Sequence, residues 1–148
     1  MTERPPEISL DSASVREMEK AALEFNSGKF FECHDTLEEV WQGIRGPARD
    51  FFQGLIQISV GFYHLRNGNR QGGESQLDKG LAKLEKYGDS YAGMELANLR
   101  TGVRRWLEKV RAGEKLDAKL ADLPKYNFTP RVRDLNLHPG GTENTEKN

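Results

Sequence analysis

From about Pro47 to Arg66 the chain is apolar on nearly every side of a helical turn, with Phe51, Phe52, Leu55, Ile56, Ile58, Val60, Phe62, Tyr63 and Leu65. A helix of that kind has no face to give to water and must be enclosed by others. Its few polar side chains fall in one narrow stripe, Gln53, Gln57 and His64, at i, i+4 and i+11. Gly54, Ser59 and Gly61 are small enough to let a neighbouring helix come close. One such central helix sets the architecture as a bundle, with the remaining helices packed around it.

The rest of the chain supplies the neighbours. Ser14-Val15-Arg16-Glu17 has the form of a capping box. After it Val15, Met18, Ala22 and Phe25 recur at helical spacing, and Gly28 ends that first helix. A second helix starts at about Lys29 and places Phe30, His34, Leu37, Trp41 and Ile44 on one face, ending at Gly43, Gly46 and Pro47. Beyond the turn Asn67-Gly68-Asn69, a fourth helix carries Leu77, Leu81 and Leu84. A fifth carries Leu96, Leu99, Val103, Trp106 and Val110. Leu116, Leu120 and Leu123 continue an apolar edge, and Pro124 and Pro130 enforce extended chain. No strand-period alternation of useful length is present, and no internal repeat. The expected fold is all-α, a single-domain bundle of about five helices over residues 11–123. A leader over residues 1–10 precedes it, and an extended Pro-containing C-terminal tail over residues 124–148 follows, disordered from about residue 139.

Composition narrows the function. A chain of 148 residues suits one domain, and seven Phe, four Tyr and two Trp are anchors enough for its core. Lys+Arg is 22 against 23 for Asp+Glu, a formal net charge of −1, which argues against a charge-driven nucleic-acid binder. The basic run Arg100, Arg104, Arg105, Lys109 and Arg111 is accordingly expected to be a solvated helix face. The lone cysteine, Cys33, rules out an intramolecular disulfide framework or a Cys-rich zinc site and reads as a small buried hydrophobe. The longest uncharged stretch, Phe51 to Leu65, is too short to span a bilayer, and no secretory signal is read. A cytoplasmic protein is expected, with neither nucleic acid nor membrane as a partner.

The residues that point to chemistry are polar ones on apolar faces. His34 stands between Phe30 and Leu37, and Glu38 follows one turn later on the same side, with Trp41 beyond it. A His and a Glu at i, i+4 can ligate a metal, form an acid–base pair, or make a structural hydrogen bond that satisfies a buried imidazole. The zinc-protease helix motif does not apply, because it needs a second His where Glu38 stands and a Glu where Asp35 stands. Gln57 and His64 on the third helix must also be satisfied, and the economical place is against the polar stripe of the second. His34, Glu38, Gln57 and His64 are thus the candidate ligand- or metal-binding set, with Phe31, Asp35, Trp41 and Gln53 around it. A core histidine that only finds a hydrogen-bond partner remains the plain alternative.

The segment from Phe25 to Trp41, with Phe30-Phe31, His34-Asp35, Leu37-Glu38 and Trp41, resembles the first signature of the domain of unknown function 309 family. Phe52-Gln53-Gly54-Leu55-Ile56-Gln57, followed by His64 and Asn69, resembles its second. The resemblance covers roughly Met18 to Tyr87 and implies a small all-α fold without an established activity. It carries over His34, Glu38, Gln57 and His64 as the shared polar set. Asp35 is a departure, since the family often has Glu there.

Two functions of different class follow. One is a bundle that binds a small-molecule ligand or a divalent metal at an internal site between the second and third helices. The other is an interaction module, a homo-oligomer such as a homodimer being one form of it, in which the His/Glu set is a buried hydrogen-bond network. A metal-dependent hydrolase is a third and thinner reading, with Glu38 or Asp35 as the base.

Overall fold

The structure, a computed structural model, describes residues 4–116 and 122–131. Five α-helices account for most of them: α1 (Ser12–Asn26), α2 (Phe30–Gln42), α3 (Arg49–Arg66), α4 (Arg70–Leu84) and α5 (Ala97–Arg111). The all-α bundle expected from the pattern is what forms. α3 is its centre, packed between α2 and α4, and Phe51, Phe52, Leu55 and Ile58 on it are fully enclosed. No helix among the described residues is long and apolar enough to cross a membrane.

Local chemistry sets the helix ends. α1 begins earlier than the capping-box reading placed it. Asp11 is the N-cap, its Oδ1 accepting the Ser14 N–H at 2.7 Å. That bond holds the Asp11 carboxyl below its ordinary range, and an anion there also suits the positive end of the helix. Gly28, at φ +80°, reverses the chain into α2. Pro47 lies in a short 3₁₀ turn, Gly46–Ala48, that leads into α3. Asn69 caps α4, accepting the Gly72 N–H at 2.9 Å.

α3 and α4 meet almost backbone to backbone. A Cβ on Gly80 would lie 2.8 Å from the Gly54 carbonyl oxygen, and one on Gly73 would lie 3.1 Å from that of Gly61. Gly54 and Gly61 on α3 therefore do admit a neighbour, and two glycines of α4 reciprocate.

Three features differ from the expectations. α2 turns Phe30, Cys33, Leu37 and Val40 to the core, so His34, Trp41 and Ile44 sit half-buried along its flank. The two stripes share Phe30 and Leu37, and the side chains with polar tips take the wetter edge. A two-stranded antiparallel hairpin, β1 (Ser90–Tyr91) and β2 (Met94–Glu95), lies between α4 and α5. Strands of two residues are too short to show alternation. Arg100 is not on a solvated face. It is 9% exposed, donates to the carbonyls of Leu84 and Gly88, and so closes the C-terminal end of α4. Arg104 and Arg111 pair instead with Glu85, Glu74 and Asp78.

Residues 122–131 run along the bundle without an α-helix. Tyr126 enters the core, its ring stacked on Phe25 at 3.7 Å and its hydroxyl donating to the Leu55 carbonyl. The Asn26 side chain clasps the Tyr126 backbone from both sides, accepting from its N–H at 2.8 Å and donating to its C=O at 3.0 Å. Near the N-terminus, Leu10 is buried, and Arg131 donates to Glu7 and to the Ile8 carbonyl. Leu120 and the stretch expected to be disordered from about residue 139 lie outside the described residues.

Candidate functional site

The second and third turns of α2 bring three donors together. His34 Nε2 is 3.2 Å from Glu38 Oε2, and His34 Nδ1 is 3.3 Å from Asp35 Oδ1. One ligand atom from each of the three lies within 4.8 Å of the others. The imidazole is the sheltered member, 22% exposed against 62% for Asp35 and 44% for Glu38. Its Nδ1 is buried, and Asp35 stands too far out of line to hydrogen-bond with it, so that nitrogen has no partner. Asp35 comes this close to the ring although consecutive helical residues diverge by about 100°.

The other members of the sequence-derived set are placed differently. His64 does not join the donor group, but it lines the same cavity as His34. That cavity has a volume of about 210 Å³ and lies between α2 and α3, walled by Phe30, Phe31, His34, Val60, Tyr63 and His64. Phe31 and Tyr63 form its outer rim, ring centres 5.6 Å apart, and are 52% and 37% exposed. Phe31 also lies against His34, and Tyr63 against His64, at 5.7 and 5.8 Å between ring centres.

The His64 tautomer follows from the α4 cap. Asn69 Oδ1 is occupied by the Gly72 N–H, which turns Nδ2 toward His64 Nδ1 at 3.4 Å. Nδ2 is a donor, so this contact is a hydrogen bond in the tautomer that accepts at Nδ1 and carries its proton at Nε2.

Gln57 and Gln53 are half-buried and do not line the cavity. Gln57 Oε1 and Trp41 Nε1 are both buried without a hydrogen-bond partner. The Arg49 guanidinium lies 3.8 Å above the Trp41 ring and donates to the carbonyls of Trp41 and Ile44, which closes the end of α2. Cys33 faces the core with no exposed surface, and burial, reinforced by the Glu24 charge, pushes its thiol far up from the ordinary cysteine range. It offers no thiolate to the cluster beside it. Phe30, Val60 and Tyr63 are the site residues that the sequence reading left in the core. Their signal was the register of the α2–α3 hairpin, which sets positions 30, 31 and 34 against 60, 63 and 64.

Comparison with known proteins returns to the two motifs. The chain is 28% identical over 112 residues to an uncharacterized protein of Aquifex aeolicus (strain VF5), covering 75% of this chain and 32% of that protein. It is 32% identical over 65 residues to the uncharacterized protein YpuF of Bacillus subtilis (strain 168), covering 43% of this chain and 37% of that protein. The chain thus spans about a third of the length of these curated relatives, at 32% and 37%. Residues 18–75 match the family model described as a domain of unknown function (DUF309). That match runs from α1 into α4, and both the donor group and the cavity fall within it.

Proposed function

We propose that the protein binds a divalent cation at His34, Asp35 and Glu38. The observation that carries this is the convergence of three different donor side chains within 4.8 Å, around an imidazole whose buried Nδ1 has no hydrogen-bond partner. Metal–donor bonds of about 2.0–2.3 Å require donors about 3–4 Å apart, so Asp35 or Glu38 must rotate to bring both carboxylates to the same imidazole nitrogen. One imidazole nitrogen with two carboxylate oxygens suits Zn²⁺, Mn²⁺ or Fe²⁺ better than a soft ion. Three protein ligands also leave coordination positions open toward solvent and the cavity.

The test is calorimetric titration of the full chain with Zn²⁺ and with Mn²⁺, beside His34→Gln and Glu38→Gln. One ion per chain is expected, with binding abolished in His34→Gln and weakened at least tenfold in Glu38→Gln. Zn²⁺ should also raise the Tm of the parent protein and leave that of His34→Gln unchanged. Absence of binding, or equal binding by all three proteins, refutes the proposal and leaves the three residues as a polar cluster on the α2 surface.

A further inference from the structure

The donor group and the cavity share His34, and together they describe a ligand. The cavity walls are hydrocarbon and aromatic except for the two imidazoles. A cavity of about 150 Å³ is enough to take benzene, so about 210 Å³ holds a ring of that size with a short arm. At the His34 edge, Asp35 and Glu38 bring two negative charges, which a divalent cation neutralises while keeping open positions. His64, on the same wall system, keeps Nε2–H as its free donor because Nδ1 is engaged by Asn69.

We infer that the cavity takes a small aryl or branched-alkyl carboxylate. The apolar body lies among Phe30, Phe31, Val60 and Tyr63, one carboxylate oxygen completes the cation's coordination, and the His64 Nε2–H serves the other. This rests on the cation reading. Without a cation, Asp35 and Glu38 would repel a carboxylate and favour an aryl amine, so the charge of the preferred ligand separates the cases. The exposed rim formed by Phe31 and Tyr63 is then an entrance, apolar enough to strip water from an aromatic ring as it enters.

Phenylacetate and benzylamine are the probes, titrated into the full chain by ligand-observed NMR with and without one equivalent of Zn²⁺. Phenylacetate is expected to bind the Zn²⁺-loaded protein at least tenfold more tightly than the metal-free one. Val60→Phe fills the cavity, and Tyr63→Ala removes a wall that is already partly exposed and does not touch the donor group. Both variants should keep the Zn²⁺ affinity of the parent and lose at least tenfold in phenylacetate affinity. If Zn²⁺ binds but phenylacetate does not, or binds both variants as well as the parent, the inference is overturned and the cation site stands. If benzylamine binds the metal-free protein and is displaced by Zn²⁺, the ligand is a cation and the inference is likewise overturned. If Zn²⁺ itself does not bind, the cation reading fails and this inference fails with it.

Discussion

Cys33 and His34 are neighbours in the chain with opposite fates, and the helix decides which is which. A rotation of about 100° per residue sends Cys33 into the core and leaves His34 at the α2 flank. The cysteine's burial was legible from its residue type. The half-exposure of His34 was not, since the stripes 30-34-37-41 and 30-33-37-40 are both helical and composition favours neither clearly. The reach of Asp35 was also illegible, being a matter of side-chain rotamer rather than helical phase. The buried thiol gives a prediction. Free cysteine ionises near pH 8.5, but Cys33 has no exposed surface and a thiol pushed well above that range. A thiol-specific chromogenic reagent at pH 8 should leave the native protein unlabelled and label one thiol per chain in denaturing urea. Prompt labelling of the native protein would show that the α2 face opens.

At the scale of elements, the α3–α4 contact is the tightest joint in the bundle. The sequence of α3 announced it through Gly54 and Gly61, set in an otherwise large-residue helix. The answering glycines of α4 gave no such signal, because in a polar helix with a thin apolar stripe a glycine reads as a weak helix former. Gly80→Ala tests which effect wins. Alanine gains about 1 kcal/mol in helix propensity. Its Cβ would stand 2.8 Å from the Gly54 carbonyl oxygen and 3.1 Å from the Ile58 nitrogen, both backbone atoms that cannot swing away. Forcing extra volume into a close-packed joint costs about 1–3 kcal/mol, so a net loss of up to about 2 kcal/mol is expected in urea unfolding. A gain in stability would show that the joint is looser than the contact distances state.

Over the whole molecule, three buried tyrosines tie segments distant in sequence. Tyr87 donates to the Pro47 carbonyl, Tyr91 to that of Pro6 and Tyr126 to that of Leu55. Burial pushes each phenol up, Tyr87 to about 12, with Asp50 adding to it there, Glu7 at Tyr91 and Cys33 at Tyr126. A group whose folded pKa is raised contributes stability that is complete below its unfolded value, here about 10, and is lost as pH rises toward the folded value. The melting temperature should therefore hold to about pH 9.5 and fall steadily above pH 10. Tyrosinate absorbance from the buried rings should rise together with the loss of helical circular dichroism. Tyr126→Phe should cost about 1 kcal/mol at pH 7 by deleting the bond to Leu55, and should flatten the alkaline fall. An unchanged alkaline profile would remove Tyr126 from the account.

The local and periodic features of this protein were determined by its sequence alone. Five amphipathic or apolar helices, glycine-marked ends and one enclosed central helix all follow from the 3.6-residue period, which is written along the chain. The pairing of His34 with Glu38 follows too, because residues four apart on a helix are neighbours in any fold. Everything that depends on which surfaces meet was decided by the tertiary structure. The α2–α3 register makes Val60 and Tyr63 walls of a cavity rather than filler. The α5 packing turns Arg100 into a closure for α4. The segment after Leu123 drives Tyr126 against Phe25. Such contacts join residues more than a hundred positions apart at the farthest, and no local period encodes them. They are set by how side-chain volumes fit when the helices close on one another.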